Sequence, residues 1–146
     1  MSVLQQCSET ITVLNRRYNA QTDLDEWIPT VIHGVSWFNK VAATVTTAGL
    51  KTADTATVRI PVDADTGGRS YMPPPAFKAA ESVSSAYTLA RGDYIARGDI
   101  TTTVNGVVQP ITPAQAQAAT EDFITILSVT DSTHRPNAPH RKVVGA

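Results

Sequence analysis

The chain has 146 residues, 42% of them hydrophobic and 17% charged, with a net charge of -1. That length suits one domain burying about 70% of its unfolded surface, and so small a charge offers no broad basic face for wrapping nucleic acid. The single cysteine, Cys7, excludes an internal disulfide, and no apolar run approaches the ~20 residues of a membrane-spanning helix.

The start, Met1-Ser2-Val3-Leu4, lacks the basic and apolar regions of a signal peptide, so residues 1–9 read as an N-terminal arm of a soluble chain. Thr10 to Leu14 alternates Thr with Ile11 and Val13 and predicts a first strand; Asn15 to Asp25 is polar and turn-like. From Trp27 to Trp37 the odd positions, Trp27, Pro29, Val31, His33, Val35 and Trp37, form a mostly apolar face of a long strand. Pro29 places its beginning at an edge or bulge, and Gly34 marks a bend. Gly49 to Asp54 reads as a turn. Thr55 to Val62 alternates again, with Val58, Ile60 and Val62 on one side, and Pro61 limits pairing there.

Residues 63–85 hold Gly67-Gly68 and Pro73-Pro74-Pro75 and read as a long surface loop, with a short helix at Ala76–Ser82. Tyr87–Leu89 and Tyr94–Ala96 are strands flanking a Gly-Asp turn. Asn105-Gly106, between Thr101–Val104 and Val107–Gln109, is a strong hairpin signal. Thr112, Pro113 and Gln115 spell a capping box opening a short helix. Phe123–Thr130 carries bulk on both faces, Phe123, Leu127 and Val129 opposite Ile124 and Ile126, which predicts a central strand. Residues 131–146 read as a C-terminal tail with a last strand at Lys142–Val144. The whole predicts one all-β domain over 1–146, a small β-barrel or sandwich of about six to eight strands, with one or two short helices and long loops.

The motifs that could carry function are short. Arg91-Gly92-Asp93 and Arg97-Gly98-Asp99 spell an adhesion tripeptide twice. Each is flanked by β-forming residues, so a tight turn with Gly at positive φ and Asp as a local cap accounts for it. Asp65-Thr66-Gly67 matches the aspartic-protease tripeptide, but polar residues surround it where an apolar strand end would precede a catalytic loop. Asp63-x-Asp65-x-Gly67 begins like a calcium loop and fails at Gly67 and Pro74, which should be ligands. His33 reads as a half-buried strand residue; His134 and His140 flank a Pro-Asn-Ala-Pro turn with no cysteine or carboxylate cluster nearby. The segment His134–Lys142 is the one local basic candidate. Trp27 and Trp37 read as packing residues on one strand face. Neither a catalytic set, a cofactor site nor a metal site is expected.

Taken in order, several segments resemble a family of small structural proteins from the head-to-tail connector of tailed bacteriophages. They are Val31-Ile32-x-Gly34-Val35-x-Trp37, Gly49-Leu50-x-x-Ala53-Asp54-x-x-x-Val58-x-Ile60-Pro61 and Ser70-Tyr71-x-x-Pro74-x-x-Phe77. They continue with Tyr87-Thr88-Leu89-x-x-Gly92-Asp93-x-Ile95-x-x-Gly98, Ser128-Val129-Thr130-Asp131 and Pro139-His140-x-x-Val143. The resemblance implies a non-enzymatic virion protein: a β-barrel subunit of a homo-oligomeric neck ring, made in the host bacterial cytoplasm. Such a head-completion or stopper protein would join portal or adaptor to tail and retain packaged DNA, touching it only non-specifically, with no membrane partner. A tail terminator or another neck or tail ring is the neighbouring expectation. A ring of this kind would be heterologous, and its subunits could cover one another's strand edges.

Overall fold

The structure, a computed structural model, describes residues 8–19, 21, 23–46, 49–80, 85–109, 111–134, 136 and 139–146, with 40–46 and 49–54 as backbone. The arm expected at 1–9 lies outside the described residues up to and including Cys7, as do the 81–82 end of the helix expected at Ala76–Ser82 and residues 137–138 of the Pro-Asn-Ala-Pro turn.

The strands are β1 (Glu9–Asn19), β2 (Leu24–Thr46), β3 (Gly49–Pro61), β4 (Ser70–Tyr71), β5 (Ala86–Tyr87), β6 (Tyr94–Arg97), β7 (Thr103–Val104), β8 (Val107–Val108), β9 (Phe123–Ser132) and β10 (His140–Gly145). Two short helices, α1 (Pro74–Ala79) and α2 (Pro113–Ala119), interrupt them. The chain is an all-β protein built on a closed barrel in the order β1-β2-β3-β10-β9-β6, every neighbouring pair antiparallel. Six strands enclose only enough room for side chains, and Ile11, Val13, Ile32, Val35, Val58, Ile60, Ile95, Ile124, Ile126 and Val143 fill it.

Alternation alone misassigns two faces, and in both cases a local irregularity is the reason. Gly34 has φ +83, and at Val35 strand β2 leaves β1 to pair with β3 from Ser36 onward. The irregularity shifts the side-chain period by one. Ile32 therefore faces inward before it and Val35 after it, Trp37 packs on the core, and His33 is exposed rather than half-buried. Trp27 and Trp37 thus lie on opposite faces: Trp27 meets Tyr94 at 5.0 Å on the outer wall, and Tyr94 stacks on Phe123 at 5.1 Å. In β9 the register with β10 shifts between Val144 and Gly145 and skips Leu127, so Ile124, Ile126 and Val129 all contribute to the core while Leu127 is 46% exposed.

Other segments are more ordered than their composition suggests. The polar stretch after Leu14 continues β1 to Asn19, so the turn begins five residues later than expected. Gly49–Asp54 is strand, paired with Val41–Thr46, because the antiparallel ladder overrides its turn-like composition. Helix α1 starts at Pro74 rather than Ala76, since proline at a helix start sacrifices no hydrogen bond, and Phe77 anchors it, fully buried with Ala86. The last strand expected at Lys142–Val144 forms as β10, one or two residues longer at each end, and within the C-terminal segment expected as a tail it lies between β3 and β9 and closes the barrel. Strand β5 pairs in parallel with β4, not with β6, so the first Gly-Asp turn does not close a hairpin. The Asn105-Gly106 hairpin and the Thr112–Gln115 capping box form as expected, with Asn105 and Gly106 at φ 51 and 79.

Candidate functional site

Beyond the barrel, β2 and β3 continue as a two-stranded ribbon. Strand β1 pairs with β2 only as far as Val35, and β10 pairs with β3 only from Ala56, yet β2 and β3 pair to Thr46 and Gly49. Among the described residues, no third strand flanks Asn39–Thr46 or Gly49–Asp54. A second open edge lies at the other end of the barrel. Strand β6 pairs with β9 only from Phe123 to Thr125, whereas β10 follows β9 to Ser132. The outer edge of Ser128–Ser132 therefore carries N–H and C=O groups with no strand partner among the described residues. Unpaired edges are where proteins add strands from other chains.

The barrel end from which the ribbon leaves is held by charge. Arg97 donates from Nη2 to Glu9 Oε1 at 2.9 Å, from Nε to Oε2 at 3.3 Å, and from Nη1 to Asp122 Oδ2 at 3.2 Å. Its guanidinium also lies 5.9 Å from the Trp37 ring centre. The Arg97 hydrogen bonds hold the Glu9 carboxyl below its usual range and raise Arg97 further. All three side chains are about one-third exposed, so solvent screens the network. Arg97→Ala is expected to cost on the order of 1 kcal/mol at low salt, and less at high salt. Glu9 has a lowered folded value, so its contribution is complete above the ordinary carboxylate value of 4.5. That contribution is lost as pH falls through the lowered value. Thermal melts of wild type and Arg97→Ala across pH 7 to 3 check this, and a difference that does not shrink in acid would contradict it.

The two Arg-Gly-Asp copies are built differently. Both glycines sit at φ 93, the left-handed backbone the turns require. Asp99 caps locally, accepting from the Thr101 N–H at 3.0 Å and hydroxyl at 2.5 Å. Asp93 does not cap its own turn. It is buried and accepts from Asn15 Nδ2 at 3.0 Å and, more weakly, from the Arg16 N–H at 3.4 Å. Burial pushes its carboxyl above the usual range, with these hydrogen bonds pulling the other way. Asn15 also donates to Thr88 O at 2.6 Å and accepts from Thr88 N at 3.2 Å. Arg16, Lys78 and Arg91 line a hollow of about 100 Å³ beside Asp93 and Gly92.

The remaining motif residues are not gathered. Asp65 is exposed; its Oδ1 accepts from the Gly67 N–H at 3.0 Å, and its backbone bridges to His33 through bonds of 2.8 and 3.0 Å. His33 Nδ1 lies 3.0 Å from Thr10 Oγ1. His140 is buried in β10 opposite Pro61, and His134 is exposed. Among the described residues, no group of three or more His, Cys, Asp or Glu could hold a metal, and no helix is long and apolar enough to cross a membrane. Sequence reading missed Asn15, placed in a presumed turn, and Arg97, read only as part of a tripeptide. Strand edges for a neighbour to cover were expected, but their location was not, because pairing is not visible in composition.

A protein family described as a family of unknown function (DUF6751) matches residues 6–146. No curated protein and no solved structure matches the chain.

Proposed function

The chain belongs to the DUF6751 family, and we propose that it is a non-catalytic structural subunit of a homo-oligomeric ring in the neck of a tailed bacteriophage. Its role there is head completion: it joins portal or adaptor to tail and retains packaged DNA. The observation that carries this reading is the ribbon of β2 and β3, which runs past the barrel with no third strand laddered along Asn39–Thr46 or Gly49–Asp54 among the described residues. A compact barrel that extends a bare ribbon is suited to contact with neighbouring subunits. The ordered connector-like segments point the same way. They fall at structural positions: the Gly34 irregularity, the inward Val58 and Ile60, the Phe77 anchor and the Gly92 turn. The formal net charge of -1 is compatible with DNA passing a channel on weak contacts.

A virus carrying a nonsense mutation in this gene tests the proposal. Heads that fill and then lose their DNA are expected, with the protein present in wild-type virions by mass spectrometry. DNA-filled heads beside unjoined tails would instead favour a tail terminator or another tail ring. Virions that form normally without the chain would remove it from the connector altogether.

A further inference from the structure

We infer that neighbouring copies join by strand addition, the outer edge of Asn39–Thr46 in the ribbon of one copy pairing with the outer edge of Ser128–Ser132 in the next. The inference rests on the ring reading and specifies its interface. The two edges lie at opposite ends of one barrel, because β2 runs out past the Glu9–Arg97 end while β9 runs to Ser132 beside His140. An edge at each end makes the contact heterologous, which is what a ring requires. Neither edge carries the usual protection against added strands. Ser128–Ser132 contains no proline or lysine, and Asn39–Thr46 contains no proline and one lysine, with β-forming Val41, Thr44, Val45 and Thr46. The single charges are complementary: Lys40 is the only charged residue of the first segment and Asp131 the only one of the second. The Thr133 hydroxyl and N–H hold Asp131 below its usual range, keeping it ionised. Antiparallel pairing with Lys40 opposite Asp131 sets Ala42 opposite Val129 and Ala43 opposite Ser128. The other ribbon edge, Gly49–Asp54, is the poorer candidate, since it opens on glycine and carries both Lys51 and Asp54.

Cysteine linkage tests this pairing on the full chain, in a Cys7→Ser background that removes the native thiol. Ala43→Cys and Ser128→Cys are placed in separate copies, mixed and oxidised. A disulfide-linked dimer is expected from the mixture, none from either variant alone, and a ladder of linked oligomers from the double variant. Dimers from Ala43→Cys alone would mean that two ribbons pair with each other, overturning the inference. A double variant that links only within single copies would mean that the ribbon folds back on its own barrel. Absence of any linkage would hand these edges to a different protein or to residues 1–7. Rings seen by native mass spectrometry without linkage would sink this interface and leave the ring reading standing; a chain absent from virions and monomeric at all concentrations would sink both.

Discussion

Replacing Asn15 with alanine is expected to lower stability by about 3 kcal/mol, because several buried hydrogen-bond groups lose a partner together. Asn15 is fully buried and joins β1 to both Thr88 backbone groups and to Asp93. Truncation removes the bonds to Thr88 O, Thr88 N and Asp93 Oδ2. For a domain of this size the midpoint of thermal melting should drop by roughly 10 °C. Asn15→Asp sharpens the test. It is nearly isosteric and keeps an acceptor for Thr88 N, but it sets a second carboxylate beside Asp93. Like charges in one buried site resist ionising together, so this variant should be destabilised at neutral pH and recover partly in acid. In the wild-type protein the raised Asp93 value means that the folded state takes up a proton before the unfolded state does. Its effect on stability therefore grows more favourable as pH falls from the raised value toward the ordinary value of 3.8. A loss under about 0.5 kcal/mol for Asn15→Ala, within the range of ordinary surface changes, would show that the clamp contributes little.

Gly145→Ala is expected to cost about 2 kcal/mol, and Gly145→Val more, by overpacking the seam where β10 closes the barrel. A Cβ there would stand 2.5 Å from the Thr125 carbonyl oxygen and 2.8 Å from Ile124 Cδ1. The first contact is with backbone, which cannot turn aside as a side chain can. Relief requires β9 and β10 to separate. That loosens the paired bonds between Thr125 and Ala146, of 2.9 and 3.2 Å, just where the register already shifts. Urea denaturation measures the loss, and an unchanged midpoint for Gly145→Ala would mean that the seam gives way without cost. Gly145 was not distinguished in the sequence, since nothing local marks a glycine whose need is set by a strand far from it in the chain.

Local features were legible in the residues alone: the Asn105-Gly106 hairpin, the Thr112–Gln115 capping box, the glycine turns and the mostly-β character of a chain rich in alternating Val, Ile and Thr. In each case a few neighbouring residues carry the whole energetic preference. Which faces turn inward, and where strands lack partners, depends on how distant strands come together in the fold. The irregularities at Gly34 and Leu127 each shift the period by one, so Ile32 and Val35, or Ile126 and Val129, both reach the core although alternation assigns them to opposite faces. Asn15 becomes a clamp only because Thr88 and Asp93 arrive beside it. The open edges exist because β1 and β10 stop short of the ribbon and β6 stops short of the end of β9. Side-chain period and edge pairing are properties of two strands at once, and one strand's residues specify only half of each.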